Sequence, residues 1–382
     1  MHNDSATIKT LRLPLAVCIV LIHLHMQVSG TQIEWGSLTS MDAWRLFACV
    51  SINELAAIAV PLFFMISGFL FFYKSEPSNF GTLELWNSGT HNWWFGKLRR
   101  RVRTLLVPYV LFCLLAVIGL VVNHTMQGHS LGDSLHTFLG NGKWLHNFWD
   151  VHTTGTNTNI LGITKPVSYP ICIPLWFIRD LMVIVLMTPL IRWALLKLRL
   201  GWIAIMLVLS LTGIWIPLVG FSPSSCLWFS IGAWFSLRSV NMAASLQPLR
   251  VPLLCAAIPL LVVDILTDGT PSDRYVHFAF LLVAVPAVYS LALPLHGGAG
   301  RGSLSFFIFA FHTLPIPFLG CRPVEWAKQL LWTDSDNGWL CILQFVGAAL
   351  LTVAVCVVVY LLLQRVFPKC LFVLTGRKEI RN

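Results

Sequence analysis

"LLTVAVCVVVYLLL", residues 350–363, sets the fold class. A transmembrane β-strand alternates lipid-facing apolar residues with lumen-facing polar ones. This run is continuously apolar and does not alternate. It reads as part of a helix that crosses a lipid bilayer.

The rest of the chain has the same character. Of its 382 residues, 56% are hydrophobic and 11% are charged, with a mean hydropathy of +0.74. A soluble domain carries about 25% charged residues, and so much apolar surface cannot be hidden in a water-soluble core. The expected class is therefore an all-α polytopic membrane protein. A span needs roughly 20 apolar residues. Candidate spans are 11–29, 53–73, 104–123, 174–192, 201–219, 224–238, 251–266, 275–295, 303–320 and 339–364, about ten transmembrane helices in all. The weakest are 224–238 and 251–266. The latter holds Pro252 and Pro259, which neighbouring helices can accommodate.

The formal net charge is +10. Such a charge suits either nucleic-acid binding or anchoring of cytoplasmic loops. The basic residues sit at helix ends, which favours anchoring, so no nucleic-acid partner is expected. With the N-terminus inside, 19 of the 26 Lys and Arg fall in inner segments and 7 in outer ones. An even span count then places both termini in the cytoplasm.

The ten cysteines form no CxxC pair and read mostly as small buried hydrophobes. Cys172 and Cys321 fall on the same outer side, where a disulfide is open. The first apolar run lacks a cleavage site and more spans follow it, so no signal peptide is expected. The expectation is a single membrane domain over 1–382, without an appended soluble domain. Two connections are long: an inner loop over 74–103 ending in "KLRRRVR", and an outer loop of about 124–173 rich in Asn, Gly, Thr, His and Trp. A loop of that length is usually functional or disordered.

The first span reads "RLPLAVCIVLIH" from Arg12 to His23. Eleven residues of helix make three turns plus about 20°, so the two side chains share a face, roughly 16 Å apart along the axis. Arg12 then lies at the cytoplasmic interface and His23 near the middle of the bilayer. Ionisable groups at that depth are costly and usually functional, although an anchoring arginine and a packing histidine would give the same pattern. "RGSLSFFIFAFH" repeats the spacing with Arg301 and His312.

Arg100 and Arg103 add cations at the inner interface. Ser67-Gly68 is a small pair that allows helices to approach closely. Arg179 and Asp180 read as a structural ion pair near the outer end of a span, and Glu54 and Asp264 as interfacial acids at outer helix ends. His124, His129, His136, His146 and His152 share the outer loop without the spacing of a helical zinc site, so no metal is expected there.

Taken in order, these segments resemble acyltransferase family 3, the bacterial multi-span acyltransferases that modify carbohydrates. The resemblance covers nearly the whole chain. It rests on Arg12 with His23, on Phe63-Phe64-Met65-Ile66-Ser67-Gly68-Phe69, on Arg100 and Arg103 ahead of Pro108-Tyr109, on Trp176-Phe177, and on Ser305 to His312. Many members carry an acidic residue just before the Phe-Phe pair. Here Val60-Pro61-Leu62 stands instead, as in the Val-Pro branch.

The resemblance implies a multi-pass enzyme of the bacterial cytoplasmic (inner) membrane. Its acyl donor is cytoplasmic acyl-CoA, acetyl-CoA above all, and its acceptor is a hydroxyl of a cell-surface or lipid-linked glycan. Arg12, Arg100, Arg103 and Arg301 would bind the CoA phosphates. His23 would be the general base or a covalent acyl carrier. His312 or a backbone amide near Ser67-Gly68 would stabilise the oxyanion. Ser67 and Trp176 would contact substrate. The basic inner face also suits anionic membrane lipid. Oligomeric state is not legible. The competing class is a membrane transporter of a sugar- or acyl-linked compound, since transporters too place ionisable groups at the midplane. Against it, the two halves show no internal repeat. A third reading, an inactive scaffold or sensor, would not need both Arg12 and His23.

Overall fold

The computed structural model describes residues 2–24, 30–36, 38–73, 88–214, 218–293 and 302–376. In chain order the helices are α1 (His2–Ile22), α2 (Ser40–Ala48), α3 (Ala59–Phe72), α4 (Ser88–Arg101), α5 (Val107–Met126), α6 (Leu131–Leu139), α7 (Lys143–His146), α8 (Trp176–Leu186) and α9 (Thr188–Lys197). They continue as α10 (Leu200–Thr212), α11 (Pro223–Leu237), α12 (Met242–Leu246), α13 (Arg250–Thr267), α14 (Asp273–Leu291), α15 (Gly302–Phe311), α16 (Pro323–Leu331), α17 (Gly338–Val366) and α18 (Pro368–Leu374). Among the described residues the only sheet is a hairpin, β1 (His152–Thr158) with β2 (Thr164–Tyr169).

The protein is an all-α membrane protein. Among the described residues, six helical stretches are long and apolar enough to cross a bilayer. They become seven if Ile173–Leu186 and Thr188–Lys197, bent by 62°, form one span. The remaining expected spans coincide with shorter helices: α10 and α15, of 13 and 10 residues, and α11, of 15 residues. Apolar side chains such as Ile118 on α5, Ile258 on α13 and Leu350 on α17 stay exposed, as lipid contact allows.

Local chemistry explains where several elements begin. Thr39 caps α2: its hydroxyl accepts from the Asp42 backbone N–H, and the Asp42 carboxylate accepts from the Thr39 N–H at 2.9 Å. That is a capping box, with both orphan donors satisfied. Pro223 opens α11 and Pro368 opens α18, positions at which the missing N–H has no helical partner to lose. The segment read as an inner loop is partly helical. Ser88–Arg101 is α4, and it runs through a π-helical turn, Val102–Leu106, into α5. Arginine is a good helix former, and the basic run continues a helix that the apolar residues complete. The 124–173 segment is built from α6, α7 and the hairpin.

The described residues form two compact units. The first combines residues 1–62 with 241–366. In it α1 packs against α15. Ile8, Leu11, Leu15 and Ile19 are buried along one face of α1, and Leu304, Phe307, Ile308 and Phe311 along one face of α15. Asp4 pins the start of α1: its Oδ1 accepts from the Ala243 N–H at 2.7 Å and from the Tyr289 hydroxyl at 2.9 Å.

The second unit combines 63–240 with 367–382. There α3 and α11 touch backbone to backbone. A Cβ on Gly68 would fall 1.9 Å from the Phe229 carbonyl oxygen, and one on Gly232 would fall 1.8 Å from that of Met65. Only glycine permits this separation. In lipid such close packing replaces the hydrophobic drive that water supplies to soluble cores.

Candidate active site

The sequence-predicted histidines meet in the first unit. His23 lies one residue beyond α1 and His312 one residue beyond α15. Each extends the buried face of its helix by one step of four, from Ile19 and from Ile308. His23 is 8% exposed and His312 fully buried. Their ring centroids are 5.1 Å apart with the planes tilted by 52°. That is within reach of a direct hydrogen bond of about 3 Å when ring nitrogens face each other.

His312 Nδ1 lies 2.9 Å from the Ile308 carbonyl oxygen. A carbonyl only accepts, so Nδ1 carries the proton and donates. The neutral ring then keeps its lone pair on Nε2. Its own carbonyl accepts from the Val324 N–H at 3.1 Å, which fixes the turn after α15. Arg12 is half-buried on α1, eleven residues before His23. Arg301 lies outside the described residues.

The second unit holds the other predicted residues. Phe63 and Phe64 on α3 pack against Phe177 on α8, with ring centroids at 5.7 and 4.6 Å. The Phe-Phe-x-x-Ser-Gly-Phe block and the Trp-Phe block, more than 100 residues apart in sequence, are thus neighbours. Ser67 and Trp176 are both half-buried. Trp176 stands 6.4 Å from Tyr169 of the hairpin, centroid to centroid. Arg100 and Arg103 are exposed, on α4 and on the π-helical turn that follows it.

Comparison with known proteins gives the family. A family model described as an acyltransferase domain, Acyl_transf_3, matches residues 6–361. The chain belongs to acyltransferase family 3. It is an acyltransferase enzyme. It is also similar to the succinoglycan biosynthesis protein ExoH of Rhizobium meliloti (strain 1021), with 26% identity over 98% of this chain and 93% of that one. No solved structure matches.

For this family 3 chain, the structure also bears on three sequence readings. Glu54 and Asp264, read as interfacial, are 1% and 0% exposed. They meet His277, which the sequence did not single out. Its Nδ1 lies 2.9 Å from Asp264 Oδ2 and 3.4 Å from Glu54 Oε2. Cys172 and Cys321 are both thiols. The Arg179–Asp180 pair is present, with Nε 2.9 Å from Oδ1. Arg179 also donates through Nη1 to the carbonyls of Trp149 and Ser168, at 2.6 and 3.1 Å. It therefore ties down both arms of the 124–173 segment, a role that sequence alone did not suggest.

Proposed function

We propose that this enzyme is an O-acyltransferase of the bacterial cytoplasmic membrane. It moves an acyl group, acetyl first among the candidates, from cytoplasmic acyl-CoA to a hydroxyl of a polysaccharide or its lipid-linked precursor. Family membership supports acyl transfer, and the name of the succinoglycan biosynthesis relative supports a polysaccharide acceptor. The single observation that carries the mechanism is the buried His23–His312 pair.

In this reading His23 is the general base. A sugar hydroxyl is a weak nucleophile until its proton is accepted. His23 takes that proton as the oxygen attacks the thioester carbonyl carbon. The carbonyl oxygen bears the charge of the tetrahedral intermediate and needs a hydrogen-bond donor. The backbone amides of Ser67 and Gly68 lie inside α3 and are given to its own carbonyls, so they do not supply it. The C–S bond then breaks, and the departing thiolate takes the proton from the imidazolium. Neutral His312, with Nδ1–H given to Ile308, offers Nε2 as an acceptor rather than a donor. It therefore suits orienting His23 better than stabilising an oxyanion. Covalent acyl transfer through His23 would use the same pair.

Arg12, Arg100, Arg103 and Arg301 would bind the phosphates of the donor, and Ser67 and Trp176 would line the acceptor path. The accompanying topology is ten spans with both termini in the cytoplasm, single-cysteine labelling from either side being its test. The activity is tested with purified enzyme, radiolabelled acetyl-CoA, a panel of longer and carboxylated acyl-CoAs, and membrane glycan. Label should move to glycan from one donor of the set. No transfer from any donor in the presence of the native glycan would contradict the proposal.

A further inference from the structure

Glu54, Asp264 and His277 come from three separate elements of the first unit. Glu54 stands in a π-helical turn, Cys49–Leu55, Asp264 in the last turn of α13, and His277 in the second turn of α14. One donor atom from each lies within 4.8 Å of the other two. The side chains of Glu54 and Asp264 are 2% and 0% exposed, while that of His277 is 29% exposed. The carboxylates thus lie beneath an imidazole that reaches the surface.

The charge of this group needs balancing. With both carboxylates ionised, an imidazolium would leave a net −1 in a buried site, which is expensive; a proton held between Glu54 and Asp264, or a cation, removes that charge. Buried polar atoms normally have hydrogen-bond partners. Among the described residues, neither Asp264 Oδ1 nor Glu54 Oε2 makes a hydrogen bond. Glu54 Oε2 is instead aimed at the cluster, 3.4 Å from His277 Nδ1. A divalent cation beside a neutral imidazole would make the set neutral and occupy these oxygens.

The spacing fits. Two ligands about 2.1 Å from a tetrahedral ion are roughly 3.4 Å apart. The Glu54–His277 separation has that value, and the 2.9 Å Asp264–His277 pair needs to open by only about 0.5 Å. Two carboxylates and one imidazole suit Zn2+ or Mn2+, whereas Ca2+ and Mg2+ prefer more oxygen ligands.

The frame is built independently of any ion. Asp268, in the turn after α13, accepts from the Gly30 N–H at 2.9 Å, from Asn53 Nδ2 at 2.9 Å and from the Cys49 thiol at 3.2 Å. A Cβ on Gly30 would fall 1.9 Å from the Ile265 carbonyl oxygen, so this strand of chain lies directly on the end of α13. The π-helical turn and the α13–α14 connection are therefore clamped together beside the three donors. Single π-helical turns recur at functional sites.

We propose that Glu54, Asp264 and His277 bind one divalent transition-metal ion of the Zn2+ or Mn2+ class, with the remaining coordination open to water on the His277 side. Its three donors are residues to which the acyl-transfer chemistry proposed for His23 assigns no role. It also departs from the sequence reading, which expected no metal.

Tag-free full-length enzyme in detergent, stripped with chelator and dialysed, is titrated with Zn2+, Mn2+, Co2+, Mg2+ or Ca2+ alone. Calorimetry and elemental analysis give stoichiometry, and the Co2+ form gives a visible absorption spectrum. One equivalent of Zn2+ or Mn2+ should bind. Asp264→Asn and His277→Gln, which nearly keep side-chain shape, should each weaken it at least about tenfold. The Co2+ band of the wild type should be displaced by Zn2+. The proposal is overturned if the wild type retains no transition metal, if only Mg2+ or Ca2+ binds, or if both variants bind as the wild type does. The wild-type measurement decides even if a variant fails to fold.

Discussion

Gly68 and Gly232 form a reciprocal contact: each presents its bare Cα to the backbone of the other's helix, α3 against α11. A methyl group at either position would overlap a carbonyl oxygen, at 1.9 and 1.8 Å, and backbone cannot rotate away as a side chain can. Gly68→Ala should therefore destabilise the protein by about 1–3 kcal/mol. Gly232→Ala should do the same, and the double variant should cost less than the sum, because either methyl alone forces the helices apart. Thermal unfolding in detergent checks this. Wild-type melting of both single variants would show that the helices are not in backbone contact.

Arg179 should be irreplaceable by lysine. Its guanidinium serves Asp180 and two carbonyls at once, from fixed directions, and an ammonium lacks that planar fork. Arg179→Ala leaves the buried Asp180 carboxylate without this partner, a loss of about 3–5 kcal/mol. Limited proteolysis should cut the 124–173 segment faster in both Arg179→Lys and Arg179→Ala. Equal cutting in the lysine variant and the wild type would refute this three-partner role of the guanidinium.

The legible part of this molecule is the part that obeys 3.6 residues per turn. Arg12, Leu15, Ile19 and His23 follow that period, so placing His23 on the face shared with Arg12 needed only arithmetic. His312 followed from the same spacing, although its closeness to His23 depends on α1 packing against α15, which no local pattern encodes. The Glu54 cluster stayed hidden for a specific reason. Glu54 reads as interfacial from its place near the outer end of a span, and the π-helical turn Cys49–Leu55 that holds it buried has no signal in the sequence. His277 sits 13 residues beyond Asp264, across a turn, and carries no motif. The short helices α10 and α15 read as longer spans because apolar composition runs on past their ends, whereas α11 reads at nearly its observed length.

Asp4 fastens the N-terminus of α1 through Ala243 and Tyr289. Asp4→Ala would strand both donors, and Tyr289→Phe would remove one. Each should lower stability by about 1–3 kcal/mol. A double-mutant cycle should show coupling above 0.5 kcal/mol, as for residues in direct contact. Additive effects in that cycle would deny the Tyr289–Asp4 bond.

On the proposed donor role, Arg12→Ala should raise KM for acyl-CoA about tenfold and leave kcat near the wild-type value, as expected for binding lost equally in ground and transition states. The donor KM of the wild type should also rise with salt. A fall in kcat at unchanged KM would move Arg12 out of donor binding.

His312 is proposed to position His23 through Nε2. Glutamine places a side-chain acceptor near that atom, and asparagine near Nδ1. His312→Gln should therefore keep more kcat than His312→Asn, at equal KM, and both variants should shift the acidic limb of the pH–rate profile. A merely structural histidine would give equal losses and an unmoved profile.

The central claim is that His23 accepts the hydroxyl proton. The most direct measurement is transfer of label from acyl-CoA to glycan by purified wild type and by His23→Ala and His23→Gln, alongside donor binding by each. The account predicts donor binding within a few-fold of wild type and transfer reduced by about 100-fold or more in both variants, the usual scale of general-base catalysis. Transfer at the wild-type rate by either variant would contradict it.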